Sequence, residues 1–192
     1  MLNETMHIEK KEIQDFKPIP PDVYTVELLD INSREVETYD SKKNRKENDT
    51  IAPLMETILD FQFVLLEGVD MASGEQLRGR NVFQNYVPSV LYISTKNGKN
   101  KLYQIVEALQ KAPLSPEQEA YGITGKDLNA LIGKQCRVGT VINTKGDKSY
   151  TNIDKFLPAK ESFPALTVEE KENARLKPKD DKEDNLEVLS PF

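Results

Sequence analysis

Cationic and aromatic side chains are interleaved in two parts of the chain whose sequence alternates like β-strands. Cations attract the phosphates of a nucleic acid, and an aromatic ring on an exposed sheet face can stack on an unpaired base. The residues that could do so are Arg80, Phe83, Tyr86, Arg137, Lys145, Lys148, Tyr150 and Lys155. Their clustering in strands and an adjoining turn predicts a surface that binds single-stranded nucleic acid.

Each of these residues also has a simpler explanation, as a solvated cation or as a ring in the core. Strict alternation puts Arg80 and Tyr86 on one face of a strand and Phe83 on the other. In the last strand it puts Phe156 on the face of Tyr150. The two tyrosines are favoured for stacking because their hydroxyl groups tolerate water. For Phe83, packing in the core is an equally good interpretation.

A polar insert at 33–50 contains a second group of cations and almost no apolar residues. We predict it to be a flexible loop, since it has too little apolar surface to form a core. A loop beside a nucleic-acid surface can contribute phosphate contacts. The candidates in this insert are Lys42, Lys43, Arg45 and Lys46.

The net charge of −6 is unevenly distributed along the chain. Residues 78–111 carry six bases and one acid, and residues 134–158 carry five bases and two acids. Residues 180–192 carry five acids and one base. The acidic balance therefore lies partly in the end of the chain, and the predicted folded part has basic segments suited to a polyanion.

The chain ends in an acidic run, a few apolar residues and a terminal Pro-Phe. A terminal Phe offers a ring for an apolar pocket and a carboxylate for a neighbouring cation, while the acids attract a basic partner. This ending resembles the acidic C-terminal tip of bacterial and phage single-stranded DNA-binding proteins, which implies docking of replication and recombination proteins. The resemblance assigns docking to Asp180, Asp181, Glu183, Asp184, Pro191 and Phe192. A frayed, solvated tail is the alternative.

The sequence offers little for catalysis or metal binding. His7 is the single histidine and Cys136 the single cysteine, which excludes an internal disulfide and a cysteine-based zinc site and argues against a classical triad. There is no P-loop or GxGxxG motif, and Asp60 has no paired carboxylate at a recognisable spacing. We therefore expect no enzyme activity, no cofactor and no metal. Without a long apolar stretch or a signal peptide, we expect a cytoplasmic protein that does not enter a membrane.

Turn residues divide the chain into five strand-like segments, with helical spacing between the third and the fourth. The strands are predicted at 23–31, 56–66, 79–87, 135–142 and 149–156, and the helices at 99–110 and 127–132. This is the order of an OB-fold, a five-stranded barrel. We predict a mainly β protein with an N-terminal arm (1–18), an OB-fold domain with a helix between strands three and four (19–158), and a disordered, flexible acidic tail (159–192).

The same region resembles a family of phage OB-fold proteins, first grouped only as a domain of unknown function, that is linked to single-stranded DNA binding. The landmarks are IPPDVY (19–24), LEG (66–68), GRNVF (79–83), KLYQIV (101–106), DLNALIGK (127–134) and the final hairpin. The resemblance covers about 19–158 and implies the OB-fold and its nucleic-acid surface. The chain departs from the family in its long basic insert and in Val23, where the family usually has Gly before the Tyr.

These observations predict a single-stranded DNA-binding protein without sequence preference. It would protect DNA during phage or bacterial replication or recombination and recruit partners through its C-terminal tip, in the host cytoplasm if a phage encodes it. Two alternatives remain. One is an interaction module that mimics the tail of a host DNA-binding protein and has no DNA affinity of its own; the other is an OB-fold protein that binds RNA. The oligomeric state is open, a homo-oligomer included.

Overall fold

The structure, a computed structural model, describes residues 17–47, 52–95 and 98–175. Most of the predicted N-terminal arm lies outside this part of the chain, as do residues 176–192. The predicted docking residues of the tail therefore lie outside the described residues too: Asp180, Asp181, Glu183, Asp184, Pro191 and Phe192.

The described residues form seven strands and five helices. The strands are β1 (Val23–Glu37), β2 (Met55–Leu65), β3 (Asn81–Pro88), β4 (Ile93–Ser94), β5 (Gly98–Lys99), β6 (Gln135–Lys145) and β7 (Lys148–Pro158). The helices are α1 (Tyr39–Glu47), α2 (Lys101–Gln110), α3 (Pro116–Tyr121), α4 (Gly125–Asn129) and α5 (Val168–Arg175). In chain order, α2, α3 and α4 lie between β3 and β6.

The five long strands form one antiparallel sheet in the order β3-β2-β1-β6-β7. Its edge strands, β3 and β7, approach each other, so the sheet is strongly curled. Within the described residues no ladder of hydrogen bonds joins these two edges, so hydrogen bonding does not close the sheet into a barrel. The prediction of a mainly β protein built on five strands is confirmed.

Alternation along β2 determines which face of the sheet is buried. One face of β2 and one face of α2 meet in the main core, as their sequence periods of two and 3.6 residues predict. The residues that meet there are Leu59, Phe61, Phe63 and Leu65 from β2 and Leu102, Ile105, Val106 and Leu109 from α2. We call this the inner face of the sheet and the opposite one the outer face.

The insert at 33–50 is not a loop over its described part, which corrects the prediction. β1 continues to Glu37 and α1 follows directly. Polar contacts replace the missing apolar ones: the hydroxyl of Ser41 donates to the Glu37 carboxylate at 2.8 Å and accepts from the Leu54 backbone N–H at 2.9 Å. The carbonyl of Thr38 accepts the first helical hydrogen bond, from the Lys42 N–H at 3.0 Å. Capping and a buried serine thus fix a helix that a hydrophobic pattern does not reveal.

The first part of the predicted tail packs on the domain. The folded domain therefore extends beyond Pro158, where the sequence predicted its end. Leu166 and Ala174 are buried in a second, smaller apolar cluster on the outer face. The sheet contributes Leu29 and Val64 to this cluster, and Leu66, directly after β2, completes it. The physical reason lies in the outer face itself, where these three apolar side chains would otherwise meet water.

Two ion pairs attach α5 to the rest of the domain, one to the connection between β2 and β3 and one to β1. Nε of Arg78 lies 2.8 Å from Oε1 of Glu170, and this hydrogen bond holds the pKa of Glu170 down at about 2, so the pair stays charged at neutral pH. Nζ of Lys171 lies 2.7 Å from Oε1 of Glu27, whose side chain is buried. A buried carboxylate needs such a countercharge, because burial without one is strongly unfavourable.

Position 68, shortly after β2, requires glycine for two reasons: its backbone conformation and its close neighbours. Its φ is +112°, and a Cβ at this position would lie 2.8 Å from Cε1 of Tyr24. The Tyr24 ring is buried, and its hydroxyl donates to the Pro20 carbonyl at 3.0 Å, so it cannot easily move away.

We expect Gly68→Ala to lower the free energy of unfolding by about 2 kcal/mol, from overpacking added to backbone strain. The matched control is Gly74→Ala, since Gly74 also has a positive φ (+72°), but a methyl group there would meet no atom within 4 Å beyond its chain neighbours. That change should introduce only the backbone strain and lower the free energy of unfolding by about 1 kcal/mol. Urea denaturation followed by circular dichroism measures both, and equal losses would contradict the steric argument.

Candidate nucleic-acid interface

A β-bulge on the outer face of β2 and β3 brings three polar and aromatic residues together. Leu59 pairs with Val87 and Phe61 with Gln84, so two residues of β3 lie opposite Asp60 alone. One of them, Tyr86, has a φ of +58°, a left-handed conformation that bulky residues rarely adopt. Its backbone N–H donates to Oδ1 of Asp60 at 2.9 Å. The carboxylate therefore holds the bulge in place.

Arg34, from β1, completes this cluster. Its Nε donates to Oδ2 of Asp60 at 2.8 Å, and its Cζ lies 4.4 Å from the centroid of the Tyr86 ring, a cation–π contact. The hydrogen bond to Asp60 is the main cause that raises the pKa of Arg34, so the guanidinium remains charged at any ordinary pH. Tyr86 is nonetheless 66% exposed. We call Arg34, Asp60 and Tyr86 the bulge cluster.

The bulge corrects the predicted alternation of β3. Val82 is buried in the inner core, whereas Phe83 is 41% exposed and pairs across the strands with Gln62 on the outer face. Because the bulge inserts one residue, Tyr86 also reaches the outer face, although strict alternation predicts it opposite to Phe83. Both candidate rings of β3 are therefore on the same side of the sheet.

Helix α5 borders this aromatic surface. Nε2 of Gln62 and Nδ2 of Asn81 donate to the backbone carbonyl of Ala174 at 3.2 and 3.1 Å. Gln62 is the cross-strand partner of Phe83. The C-terminal end of α5 thus lies beside the cross-strand neighbour of Phe83 and limits the aromatic surface on that side.

The β6–β7 hairpin carries the second group of predicted residues. Lys145 pairs with Lys148 at its tip, and Tyr150, 49% exposed, pairs with Asn143. All three are exposed, and strand pairing puts Tyr150 on the outer face, opposite to the core residue Ile153. The hairpin therefore offers one ring and two cations to solvent.

A second bulge, at Asp154, corrects the prediction for Phe156. The register shifts between Gly139 and Thr140, so Phe156 turns into the inner core, with its ring centroid 5.7 Å from that of Phe63. Nζ of Lys101 donates to the carbonyls of Ile153 and Asp154 and so satisfies the backbone that the bulge leaves unpaired. Tyr150 and Phe156 are consequently on opposite faces.

The remaining predicted cations have different surroundings. The Arg80 guanidinium donates to the Lys17 carbonyl, and Nε of Arg137 donates to the Pro158 carbonyl at 3.1 Å, so both also support the backbone. Lys155 is exposed, with its stem packed over Gly139. In α1, Arg45 forms an ion pair with Glu37 at 3.2 Å. The exposed lysines of that helix are Lys42, Lys43 and Lys46.

Arg34 and Asp60 are the residues of this surface that sequence reasoning did not assign to it. They are 26 positions apart and meet only because β1 and β2 pair with Asn32 opposite Asp60. A sequence signal existed in part, since Asp60 is the single acid in the otherwise apolar centre of β2. A charged residue at such a position must find a partner on a neighbouring strand.

Three further observations on the described residues concern the cysteine, groups of metal-binding side chains and the helices. Burial raises the pKa of the Cys136 thiol to about 12, so it does not ionise at neutral pH. Within 17–47, 52–95 and 98–175, no three His, Cys, Asp or Glu side chains are grouped as they would be to hold a metal ion. Among the helices described there, none has the length and apolar character needed to cross a membrane.

Comparison with known proteins does not assign a relative. No family model matches the chain, and neither a curated protein nor a solved structure matches it. The functional argument therefore depends on the geometry and chemistry of the outer face itself.

Proposed function

We propose that the protein is an OB-fold protein that binds single-stranded DNA without sequence preference. The observation that carries this proposal is the outer face of β2 and β3, where Phe83 and Tyr86 are exposed beside the guanidinium of Arg34. Exposed rings on a sheet are what unpaired bases require, and a cation beside a ring supports its position. The strand order β3-β2-β1-β6-β7 is also the order expected for an OB-fold.

The position of the cations supports the same proposal. OB-folds bind oligonucleotides across strands two and three, between the loop that joins strands one and two and the loop that joins strands four and five. In this chain those connections are α1, with its exposed lysines, and the tip of the β6–β7 hairpin, with Lys145 and Lys148. Exposed cations are thus present on both of these connections.

Biologically, such a protein would cover single-stranded DNA during phage or bacterial replication or recombination. The acidic tip with Pro191 and Phe192 would recruit other proteins of the same process. A surface of rings and cations does not by itself distinguish DNA from RNA, because that distinction needs a contact to the 2′-hydroxyl.

The test is a titration of the full chain with a fluorescent poly-dT oligonucleotide at two salt concentrations. We expect saturable binding that weakens as salt rises, since phosphate contacts release counterions. Unlabelled single-stranded DNA, single-stranded RNA and duplex DNA of equal length serve as competitors, and we expect the single strands to compete better than the duplex. An absence of saturable binding would contradict the proposal and favour a protein-interaction role; stronger competition by RNA would favour RNA as the ligand.

Replacing the two hairpin lysines should change the salt dependence. In Lys145→Ala/Lys148→Ala, we expect the slope of log affinity against log salt to become shallower by about 1.4, since each single-strand phosphate contact contributes about 0.7. Lys126→Ala/Lys160→Ala is a control of equal charge, with both lysines exposed and outside the sheet. An equal change of slope in both variants would show that the hairpin is not a contact site.

A further inference from the structure

We propose that the bulge cluster is a preformed platform for one unpaired base. In it Tyr86 stacks on the base, Arg34 supports the ring, and Asp60 positions both. This inference rests on the proposed function and specifies which residues of the outer face receive a base. Within it, Arg34 and Asp60 are positioning residues rather than phosphate ligands.

The first argument is that the ring is already supported before any ligand binds. The guanidinium of Arg34 lies 4.4 Å from the Tyr86 centroid, while the tyrosine as a whole remains mostly exposed. An exposed tyrosine normally samples several rotamers, and fixing it on binding reduces affinity. A ring that is held by a cation on one side presents its remaining surface with less loss of entropy.

The second argument is the backbone of Tyr86. Its φ of +58° is unfavourable for a bulky residue, and glycine or asparagine would relieve the strain. A tyrosine in this conformation must be stabilised by its surroundings, here by the hydrogen bond from its N–H to Asp60. Strain of this kind is concentrated at binding sites, and here it turns the ring onto the outer face.

The third argument concerns the charge of Asp60. A carboxylate on a surface that receives phosphates is unfavourable by electrostatics alone. Asp60 is 8% exposed and uses its two oxygens on two different members of the cluster, Nε of Arg34 and N–H of Tyr86. A merely solvated acid would not bridge two groups in this way, so its role is to fix their geometry.

The charge and platform interpretations predict opposite signs for the loss of Asp60. If charge alone mattered, Asp60→Asn would remove a repulsive acid and strengthen DNA binding. If Asp60 positions the platform, the same variant should weaken binding, because the guanidinium is no longer held under the ring. Asparagine keeps an oxygen that can accept the Tyr86 N–H, so the bulge itself should survive.

The experiment measures poly-dT affinity for wild type, Asp60→Asn and Glu56→Gln. Glu56 is the matched control, an exposed acid four residues earlier on β2 and on the same face. We expect Asp60→Asn to lose about tenfold in affinity, within the range of one stacked base, and Glu56→Gln to bind as well as wild type or better. Photo-crosslinking with an iodo-uracil oligonucleotide should label Tyr86 in wild type and lose that label in Asp60→Asn.

A second variant keeps the test valid if Asp60→Asn does not fold. Tyr86→Gly removes the ring and relieves the strained backbone, so it should fold and still lose about tenfold in affinity. Affinity in Asp60→Asn that equals or exceeds wild type, or an unchanged affinity in Tyr86→Gly, would overturn the platform while leaving DNA binding intact. If wild type itself showed no saturable binding, both the platform and the proposed function would be wrong.

Discussion

Replacing Lys171 with methionine is expected to lower the free energy of unfolding by about 3 kcal/mol. The substitution removes the only ion-pair partner of Glu27 that the described residues provide, at a distance of 2.7 Å from Oε1. The other oxygen, Oε2, accepts a hydrogen bond at 3.3 Å from the Leu166 backbone N–H. An unpaired carboxylate in this position cannot stay buried, because burying a lone charge is far more unfavourable than exposing it.

We also expect a specific structural response to the unpaired charge in Lys171→Met. Water can reach Glu27 if α5 and the segment before it leave the sheet, which exposes Leu166 and the apolar cluster beneath it. Hydrogen exchange should therefore rise first in α5 while β1, β2 and α2 stay protected. The double variant Glu27→Leu/Lys171→Leu should recover most of the lost stability, since apolar pairs of similar volume replace buried ion pairs well.

Lys160→Met is the control for the loss of a lysine, because Lys160 is exposed and precedes the docked segment. It should change the free energy of unfolding by less than about 0.5 kcal/mol. If Lys171→Met were equally mild, the contact with Glu27 would contribute nothing to the attachment of α5. Urea denaturation of the three variants and wild type decides this.

The strands could be predicted from the sequence wherever side chains alternate strictly between the two faces of the sheet. β2 is the best case, since its alternating Leu59, Phe61 and Phe63 are all buried in one core as expected. α2 follows equally well from its helical spacing. In both elements the local pattern and the packed structure agree, because neither contains an inserted residue.

The prediction fails where a single residue changes the register. One extra residue in β3 turns Tyr86 to the outer face, and another in β7 turns Phe156 to the core. Since side chains alternate with a period of two, one insertion inverts every assignment beyond it. Nothing local in the sequence marks these bulges; their causes are Asp60 and Lys101, which lie 26 and 53 positions away from the residues they contact.

The residues of the candidate site, too, could be predicted from the sequence only in part. Its exposed rings and hairpin lysines could be predicted from residue type, because each is chemically suited to nucleic acid on its own. Arg34 could not, since its relevance comes only from stacking on Tyr86 and bonding to Asp60. A positioning residue is defined by contacts between strands, and those contacts exist only in the folded sheet.

Removing both rings of β3 is expected to weaken poly-dT binding by about 100-fold at constant salt. The variant is Phe83→Ala/Tyr86→Gly, and the estimate assumes one base stacked on each ring, at about 1–3 kcal/mol per base. Glycine at position 86 suits the positive φ of the bulge, and Phe83 is partly exposed, so the fold should be retained. Thermal unfolding by circular dichroism verifies this before any titration.

The salt dependence separates stacking from charge in this variant. Neither substitution removes a cation, so the slope of log affinity against log salt should equal that of wild type. The control is Tyr121→Ala, which removes a ring that is 89% exposed but belongs to α3 and not to a strand of the sheet. A comparable loss in Tyr121→Ala, or an unchanged affinity in the double variant, would mean that the outer face of β3 does not receive bases. The expected pattern, lower affinity with an unchanged slope, would mean that the rings bind bases while the flanking cations hold the phosphates.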